Sequence, residues 1–283
     1  MKTREMNASE GKASAPLSNL TIRLLTAAVV APLILGALFM TPPWAFTSMV
    51  LLGTAAASFE LGRMVAPDHF LGRAWLALAS LGLVLGMVFI QDAPTLAFSF
   101  IGVTLGGLLV SLLSASPVEG AAGRMAWFVA GPLYIGLLLS TLVMLHQRPQ
   151  GGSWVVLAMM LAWFGDTGGY FAGRAFGKHP LAPSISPKKT REGALGSVVG
   201  STLAALLAHF WYLPSLPLSA ALALALLGGT CGQLGDLCES LIKRSTGVKD
   251  SGRLIPGHGG ILDRIDGLMF CGAITWAYAH YFT

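Results

Sequence analysis

The chain has few charged side chains. Asp, Glu, Lys and Arg make up 11% of its 283 residues, whereas soluble globular proteins contain about 25%. Hydrophobic residues make up 54%, and the mean hydropathy is +0.68. A soluble domain of this size could not bury so much apolar surface with so few charges. The composition therefore excludes a soluble enzyme and a disordered chain, and it predicts an integral membrane protein.

Cysteine is also scarce, because the chain contains only Cys231, Cys238 and Cys271. Their number is odd, no two of them form a C-x-x-C pair, and all three lie in or beside apolar segments. This pattern excludes a secreted disulfide scaffold. We expect three free thiols, with no metal or disulfide between them.

What the chain does have is long apolar runs, of which we count nine. About 20 apolar residues are needed to span a bilayer as a helix, and most of the runs reach that length. The period-two alternation of a membrane β-barrel is absent. The fold class that the sequence predicts is an all-α polytopic membrane protein with about nine transmembrane helices, at approximately 20–40, 44–62, 74–90, 95–115, 125–145, 153–172, 194–212, 218–234 and 261–281.

Lys and Arg residues are distributed unevenly between the two sides that these spans define. With the N-terminus in the cytoplasm, all but one of the 18 Lys and Arg residues fall on the cytoplasmic side, and only Arg148 falls on the other. Cytoplasmic loops of membrane proteins carry such an excess. The sequence thus predicts a cytoplasmic N-terminus and a C-terminus on the opposite side.

The chain divides into three regions. Residues 1–18 are small and polar and are predicted to form a disordered cytoplasmic tail. Residues 19–150 are predicted to be apolar membrane helices that anchor the protein. Residues 151–283 are predicted to be a catalytic membrane region with two charged cytoplasmic loops, 173–193 and 235–264. The two membrane regions need not be separable domains.

Asp166 lies inside an apolar run, where a charge is costly. It could cap a helix end or pair with an Arg, or it could face a water-filled cavity that holds a cation. Glycines recur every four residues around it, at Gly165, Gly169, Gly173 and Gly177. That spacing favours close helix packing over ligand contact.

The first charged loop combines hydroxyl and ammonium groups in Ser186, Lys188, Lys189 and Thr190. Such a set could bind phosphate groups. The alternative is a basic patch that is attracted to anionic lipid.

The second charged loop begins on a helix, where Asp236, Glu239, Ser240 and Lys243 share one face. Asp263 and Asp266 then lie on the first turn of the last span. Mg²⁺ takes one or two carboxylates together with substrate phosphates, so Asp236 and Asp263 could hold such an ion between two helices. A solvated helix face and an N-cap role for Asp263 are the alternatives.

These residues form a long pattern, S-x-x-K-R-x₄-K-D-x-G-x₂-I-P-x-H-G-G-x₂-D-R-x-D, from Ser240 to Asp266. It resembles the signature of the phosphatidate cytidylyltransferases, or CDP-diacylglycerol synthases. Asp166-Thr167-x-x-Tyr170 and the run from Ser186 to Gly193 resemble upstream motifs of that family. Gly169 stands where the family has Ala, which exchanges one small residue for another.

The resemblance implies an integral membrane nucleotidyltransferase, often dimeric, in the bacterial inner membrane, with its site facing the cytoplasm. It implies CTP and phosphatidate as substrates, Mg²⁺ as cofactor with a second cation left open, and no nucleic-acid partner. It assigns Asp236 and Asp263 as metal ligands, with Asp166, Asp250 and Asp266 as second candidates, and Lys243 and Arg264 join the two Asp ligands as catalytic residues. The residues expected to contact substrate are Ser186, Lys188, Lys189, Thr190, Glu192, Lys243, Arg244, Lys249 and His258, with Arg264 as a further phosphate contact.

Two other readings are open. A CTP-dependent polyprenol or phytol kinase would transfer the γ-phosphate to a lipid alcohol, but the full pattern from Lys249 to Asp266 argues against it. An ion-coupled transporter would place its polar site near the midplane in repeated halves. Here the charges cluster at one face and the sequence shows no repeat.

Overall fold

A computed structural model describes residues 19–40, 42–90, 93–255 and 259–283. These residues form ten α-helices and one two-stranded antiparallel hairpin. The predicted disordered tail, residues 1–18, lies outside the described part of the chain, and so does His258.

The helices follow the apolar runs of the sequence. Helices α5 and α6 are joined by a π-helical turn, Leu133–Leu137, into one continuous segment, so the ten helices form nine rods. A second π-helical turn, Ala208–Tyr212, extends α8. The helices are α1 (Asn19–Phe39), α2 (Pro43–Val65), α3 (Phe70–Phe89), α4 (Ala93–Leu113), α5 (Ala121–Pro132), α6 (Leu138–His146), α7 (Gly151–Phe176), α8 (Arg191–Leu207), α9 (Leu218–Ser245) and α10 (Leu262–Phe282).

Seven of the rods have the length and hydropathy needed to cross a membrane. Among the described residues, α1 contributes the shorter apolar stretch Thr26–Phe39. Helix α10 is not one of the seven, although its 21 residues are about the length of a span at 1.5 Å per residue. The first turns of α10 carry Asp263, Arg264 and Asp266, and these charges lower its hydropathy. The all-α membrane architecture is confirmed, and seven of the nine predicted spans are supported.

The two charged segments are more ordered than the predicted loops. Helix α7 continues to Phe176, and the hairpin strands β1 (Pro180–Ala182) and β2 (Ser186–Thr190) lead directly into α8. Helix α9 continues to Ser245, well beyond the apolar run that predicted it. The α9 extension carries polar side chains that contact other elements, as Lys243 contacts Asp263, and an apolar-run criterion does not detect such a helix end. In the described residues, the irregular backbone of the two charged segments is confined to 177–179, 183–185, 246–255 and 259–261. That both segments lie in the cytoplasm stays a prediction.

Helices α7 and α8 pack along a seam of glycines. A Cβ atom added to Gly168 would lie 2.3 Å from the carbonyl oxygen of Gly196, and one added to Gly200 would lie 2.1 Å from that of Phe164. At Gly165 an added Cβ would lie 2.9 Å from the Ser201 hydroxyl. Of the regularly spaced glycines, Gly169 also faces α8, since an added Cβ would lie 3.3 Å from the carbonyl oxygen of Gly193. The prediction that this series serves helix packing is confirmed for Gly165 and Gly169.

The charged segments meet at one end of the bundle. The hairpin contacts α9 through an ion pair between Lys189 and Asp236, and the C-terminal part of α2 contacts the start of α10 through Glu60. Arg148, the exception in the charge distribution, lies at the other end of α10, where it donates a hydrogen bond to Thr283 at 3.3 Å. One end of the bundle is therefore rich in charge, and we call it the charged end.

We predict that Gly168→Ala will destabilise the protein. The new methyl group would meet backbone rather than a movable side chain, and such overpacking costs about 1–3 kcal/mol. Gly82→Ala is the matched control, because an added Cβ there has no neighbour within 4 Å. The thermal unfolding midpoint in detergent should fall for Gly168→Ala and not for Gly82→Ala. Equal midpoints for the two variants would contradict the tight α7–α8 seam.

Candidate active site

Lys243 joins α9 to α10 at the charged end. Its ammonium nitrogen lies 2.9 Å from Oε2 of Glu239 and 2.6 Å from Oδ1 of Asp263. Glu239 has no exposed surface, and only 10% of the Lys243 side chain is exposed. The predicted common helix face of Asp236, Glu239, Ser240 and Lys243 is confirmed. It is not a solvated face, because the buried ammonium group of Lys243 at its centre binds carboxylates from two helices.

Asp263 organises the connection that precedes α10. Its Oδ2 atom accepts hydrogen bonds from the backbone N–H of Gly260 at 2.9 Å, and from the N–H and hydroxyl of Ser251, each at 3.0 Å. Gly260 must be a glycine here, because an added Cβ would lie 2.1 Å from the Ser251 oxygen. Asp263 therefore fixes the connection just before α10 and also binds Lys243. The N-cap residue of α10 is Ile261, so the alternative of an N-cap role for Asp263 was wrong.

Glu60 on α2 is a part of the site that the sequence did not reveal. Its carboxylate accepts hydrogen bonds from the backbone N–H groups of Ile261 at 3.1 Å and Leu262 at 2.9 Å, and from the Ser251 hydroxyl at 3.0 Å. The residue is only 2% exposed. An anion at a helix N-terminus binds its free N–H groups and interacts favourably with the helix dipole. The one signal in the sequence was a carboxylate within an apolar run, which is costly without partners.

The hairpin brings a second cation to α9. Lys189 Nζ lies 2.7 Å from Oδ2 of Asp236, and the Ser240 hydroxyl donates to Oδ1 of Asp236 at 3.2 Å. Successive residues of a strand point to opposite faces, and Lys188 is exposed whereas Lys189 is partly buried. The two lysines that the sequence treated as a pair therefore have different surroundings.

Three other predicted substrate residues make contacts that shape the hairpin. The Thr190 hydroxyl caps α8 by accepting the Gly193 N–H at 3.1 Å. Glu192 accepts the N–H groups of Lys178 and His179, at 3.1 Å and 3.3 Å. Arg244 donates to the carbonyl oxygens of Ile185 at 3.4 Å and Val248 at 3.2 Å. These contacts hold the hairpin against the ends of α8 and α9.

Carboxylates from three helices converge beside Lys189. Asp166 of α7 lies within electrostatic reach of Asp236 of α9, and so does Asp266 of α10. Lys189 and Arg264 are the cations that act on Asp166. The charged end therefore holds a group of acidic side chains that repel one another, with two neighbouring cations to offset them.

This donor set suits a hard divalent cation. Within the described ranges, no three His, Cys, Asp or Glu side chains are arranged as a complete metal site, but Mg²⁺ commonly takes only one or two carboxylates and completes its shell with substrate phosphates and water. Asp236 is the more accessible candidate, because 33% of its side chain is exposed compared with 7% for Asp263. Asp250 is exposed, on the segment that follows α9.

Comparison with known proteins identifies the class. The model of the cytidylyltransferase family matches residues 21–282, so the chain belongs to that family, and the resemblance drawn from its motifs is confirmed. It is 34% identical to the phosphatidate cytidylyltransferase of Brucella suis, over 94% of this chain and 95% of that protein. Proteins of the same name from Pseudomonas aeruginosa and Mycobacterium bovis are 36% and 33% identical over 90% of this chain, and the alignments cover 96% and 88% of their lengths.

We predict that Glu60→Gln will loosen the connection before α10. An amide offers one acceptor oxygen and turns an NH₂ group toward N–H donors, and an unsatisfied buried group costs about 1–3 kcal/mol. Trypsin should then cleave more rapidly after Lys249 and Arg253, which lie on that connection. Glu119→Gln, at an exposed carboxylate outside the site, is the control. Cleavage of Glu60→Gln at the wild-type rate would show that Glu60 does not hold this segment.

Proposed function

We propose that this protein transfers CMP from CTP to phosphatidate, which gives CDP-diacylglycerol and pyrophosphate for phospholipid synthesis. The observation that carries the proposal is the convergence of the signature residues at the charged end. Residues of α7, the hairpin, α9 and the start of α10 meet there although the chain separates them. Full-length similarity to proteins named phosphatidate cytidylyltransferase supports the same reaction.

The reaction needs neutralisation of charge more than it needs a base. A phosphomonoester has a second pKa of about 6, so the phosphate of phosphatidate is largely dianionic at neutral pH and can itself attack the α-phosphorus of CTP. Both reactants are anions and the leaving pyrophosphate is another. Cationic side chains at fixed positions lower the barrier by stabilising this charge in the transition state.

Lys189 is positioned to take part in this neutralisation. Its ammonium group binds Asp236, and a triphosphate that approaches the hairpin would share this group. Arg264, exposed on the first turn of α10, would add charge from the opposite side. Ser186, Lys188, Lys243, Arg244 and Lys249 stay candidate phosphate contacts, and so does His258.

Asp236 would hold a divalent cation together with Asp166 or Asp266. Asp263 would support the metal site through its contact with Lys243, or it would bind the cation itself. When bound, Mg²⁺ would withdraw charge from the phosphate oxygens. Ser240 orients Asp236 for this role through its hydrogen bond.

We further propose that the protein crosses the bacterial inner membrane with all nine rods and that the charged end faces the cytoplasm. The excess of Lys and Arg on one side supports this orientation, and CTP is a cytoplasmic metabolite. Full-length similarity to proteins named phosphatidate cytidylyltransferase favours CMP transfer over the kinase alternative. A homodimer stays a prediction.

We predict that Asp236→Asn and Asp263→Asn will each leave less than about a tenth of wild-type turnover, a loss of at least 1.4 kcal/mol of transition-state stabilisation. Their stabilities should differ. Asp263→Asn removes the charge that balances Lys243 and should lower the unfolding midpoint, because breaking a buried ion pair is costly. Asp236→Asn should leave the midpoint nearly unchanged.

The measurement is CDP-diacylglycerol formation by purified protein with saturating CTP, phosphatidate and Mg²⁺. Asp68→Asn, at an exposed carboxylate between α2 and α3, is the control and should retain full activity. More than a tenth of wild-type turnover in Asp236→Asn would remove that residue from the set of metal ligands. No CDP-lipid from the wild-type protein would refute the proposed reaction.

We also predict that Lys189→Arg will reduce turnover well below wild type. The planar guanidinium group cannot replace a compact ammonium at a fixed point. Lys188→Arg on the outer face of the strand should have the smaller effect. Short-chain phosphatidate in uncharged detergent is the right substrate for this comparison, because it removes the surface potential of a membrane. Full activity of both variants would assign the hairpin lysines to general attraction of anionic lipid.

A further inference from the structure

A cavity of about 750 Å³ lies between the C-terminal part of α2 and the connection that follows α9. Volumes of this order are typical of sites for small ligands. Phe59 and Arg63 form part of its wall on the α2 side, and residues 248–254 form the other side. The hairpin and Asp236 do not line it, so the cavity is separate from the place where Lys189 meets the carboxylates.

The cavity carries a positive charge. Arg63, Lys249 and Arg253 line it and are exposed, and no ion pair to a carboxylate is found for any of the three in the described residues. Asp250 is the one exposed carboxylate of the lining. The carboxylate of Glu60 also borders the cavity, but its oxygens accept hydrogen bonds from the start of α10 and from Ser251.

Apolar side chains lie beside these cations. Phe59 is 49% exposed and Leu254 is 57% exposed, and the Arg63 guanidinium carbon lies 5.9 Å from the centre of the Phe59 ring. Helix α2 is a candidate membrane span, so its last turn lies close to the boundary between lipid and water. A cavity lined by both exposed cations and exposed apolar side chains matches a ligand with an anionic head and a hydrocarbon tail.

The cavity adjoins the site through Ser251 and Glu60. Ser251 lines it, and the same residue donates two hydrogen bonds to Asp263, which binds Lys243. A phosphate bound in the cavity would therefore lie next to the connection that precedes α10 and positions Asp263. A nucleotide bound at the hairpin would approach the same carboxylates from the other direction.

We propose that this cavity binds the phosphomonoester headgroup of phosphatidate, with Arg63 and Arg253 as its phosphate contacts and Phe59 beside its acyl chains. The inference rests on the proposed function and extends it by assigning the lipid substrate to a site distinct from that of CTP. Arg63 would then be a specificity residue contributed by the N-terminal half of the chain. The arginines suit this ligand, because a guanidinium group can bind two phosphate oxygens at once.

The test separates the two phosphate-bearing substrates. KM is measured for short-chain phosphatidate at saturating CTP, and for CTP at saturating phosphatidate, in micelles of uncharged detergent. For Arg63→Ala and for Arg253→Ala we expect the phosphatidate KM to rise about tenfold or more, as loss of a charge-assisted hydrogen bond implies, and the CTP KM to change less than about twofold. Arg174→Ala is the control, because Arg174 is exposed near the same end of the bundle and contacts Tyr170.

A second measurement does not depend on turnover. Binding of phosphatidate to the nucleotide-free protein is titrated in the same micelles, with phosphatidylcholine as the lipid that lacks a monoester phosphate. The wild-type protein should prefer phosphatidate, and both arginine variants should lose the preference. The binding titration tests the cavity even if no CDP-lipid is formed. In that case the proposed reaction is refuted, and the lipid site is tested by binding alone.

Three results would overturn the inference. One is an unchanged phosphatidate KM in both variants, and another is an equal rise in both KM values, which would assign the arginines to the nucleotide or to general folding. The third is unaltered lipid preference in the binding titration. Should Arg63→Ala unfold, as its unfolding midpoint would reveal, Arg253→Ala on the irregular connection carries the same test.

Discussion

The ammonium group of Lys243 is the contact on which the charged end depends. It lies between the buried carboxylate of Glu239 on its own helix and that of Asp263 on α10. Three charged groups buried together stabilise the protein only when all three are present, because removal of one leaves another buried without a partner. The set fixes α10 against α9, and this brings Asp236 and Asp266 within reach of each other.

Around this contact, the connection before α10 is held from two sides. Asp263 and Glu60 both accept hydrogen bonds from Ser251, and between them they bind the N–H groups of Gly260, Ile261 and Leu262. Glu60 belongs to the apolar N-terminal half of the chain, 191 residues before Ser251. The N-terminal helices therefore do more than anchor the protein, because one of them fixes the geometry of the connection that carries the signature residues.

Much of this arrangement could be predicted from the sequence. The nine apolar runs of the sequence coincide with the nine rods, seven of which have the length and hydropathy of membrane spans in the described residues. The regular glycines predicted the α7–α8 seam. The shared face of Asp236, Glu239, Ser240 and Lys243 followed from helical periodicity alone. Helical periodicity relates residues within one helix, so it could not show that Lys243 of α9 binds Asp263 of α10.

The features that the sequence did not reveal depend on contacts between distant elements. Glu60 was visible only as a carboxylate in an apolar run, and its partners are backbone groups, which leave no mark in side-chain patterns. The continuation of α9 to Ser245 is stabilised by tertiary contacts, such as that of Lys243 with Asp263, rather than by hydropathy. Similarly, the sequence does not distinguish Lys188 from Lys189. In the folded hairpin Lys189 binds Asp236, whereas Lys188 is exposed to solvent.

The central claim is that the charged end transfers the CMP group of CTP to a lipid phosphate. The most direct measurement supplies the purified protein with phosphatidate, Mg²⁺ and CTP that carries different isotopic labels on its α- and γ-phosphorus. The account predicts that the α-label appears in the lipid product and that the γ-label leaves in pyrophosphate. Appearance of the γ-label in the lipid, with CDP released, would contradict it and identify a lipid kinase instead.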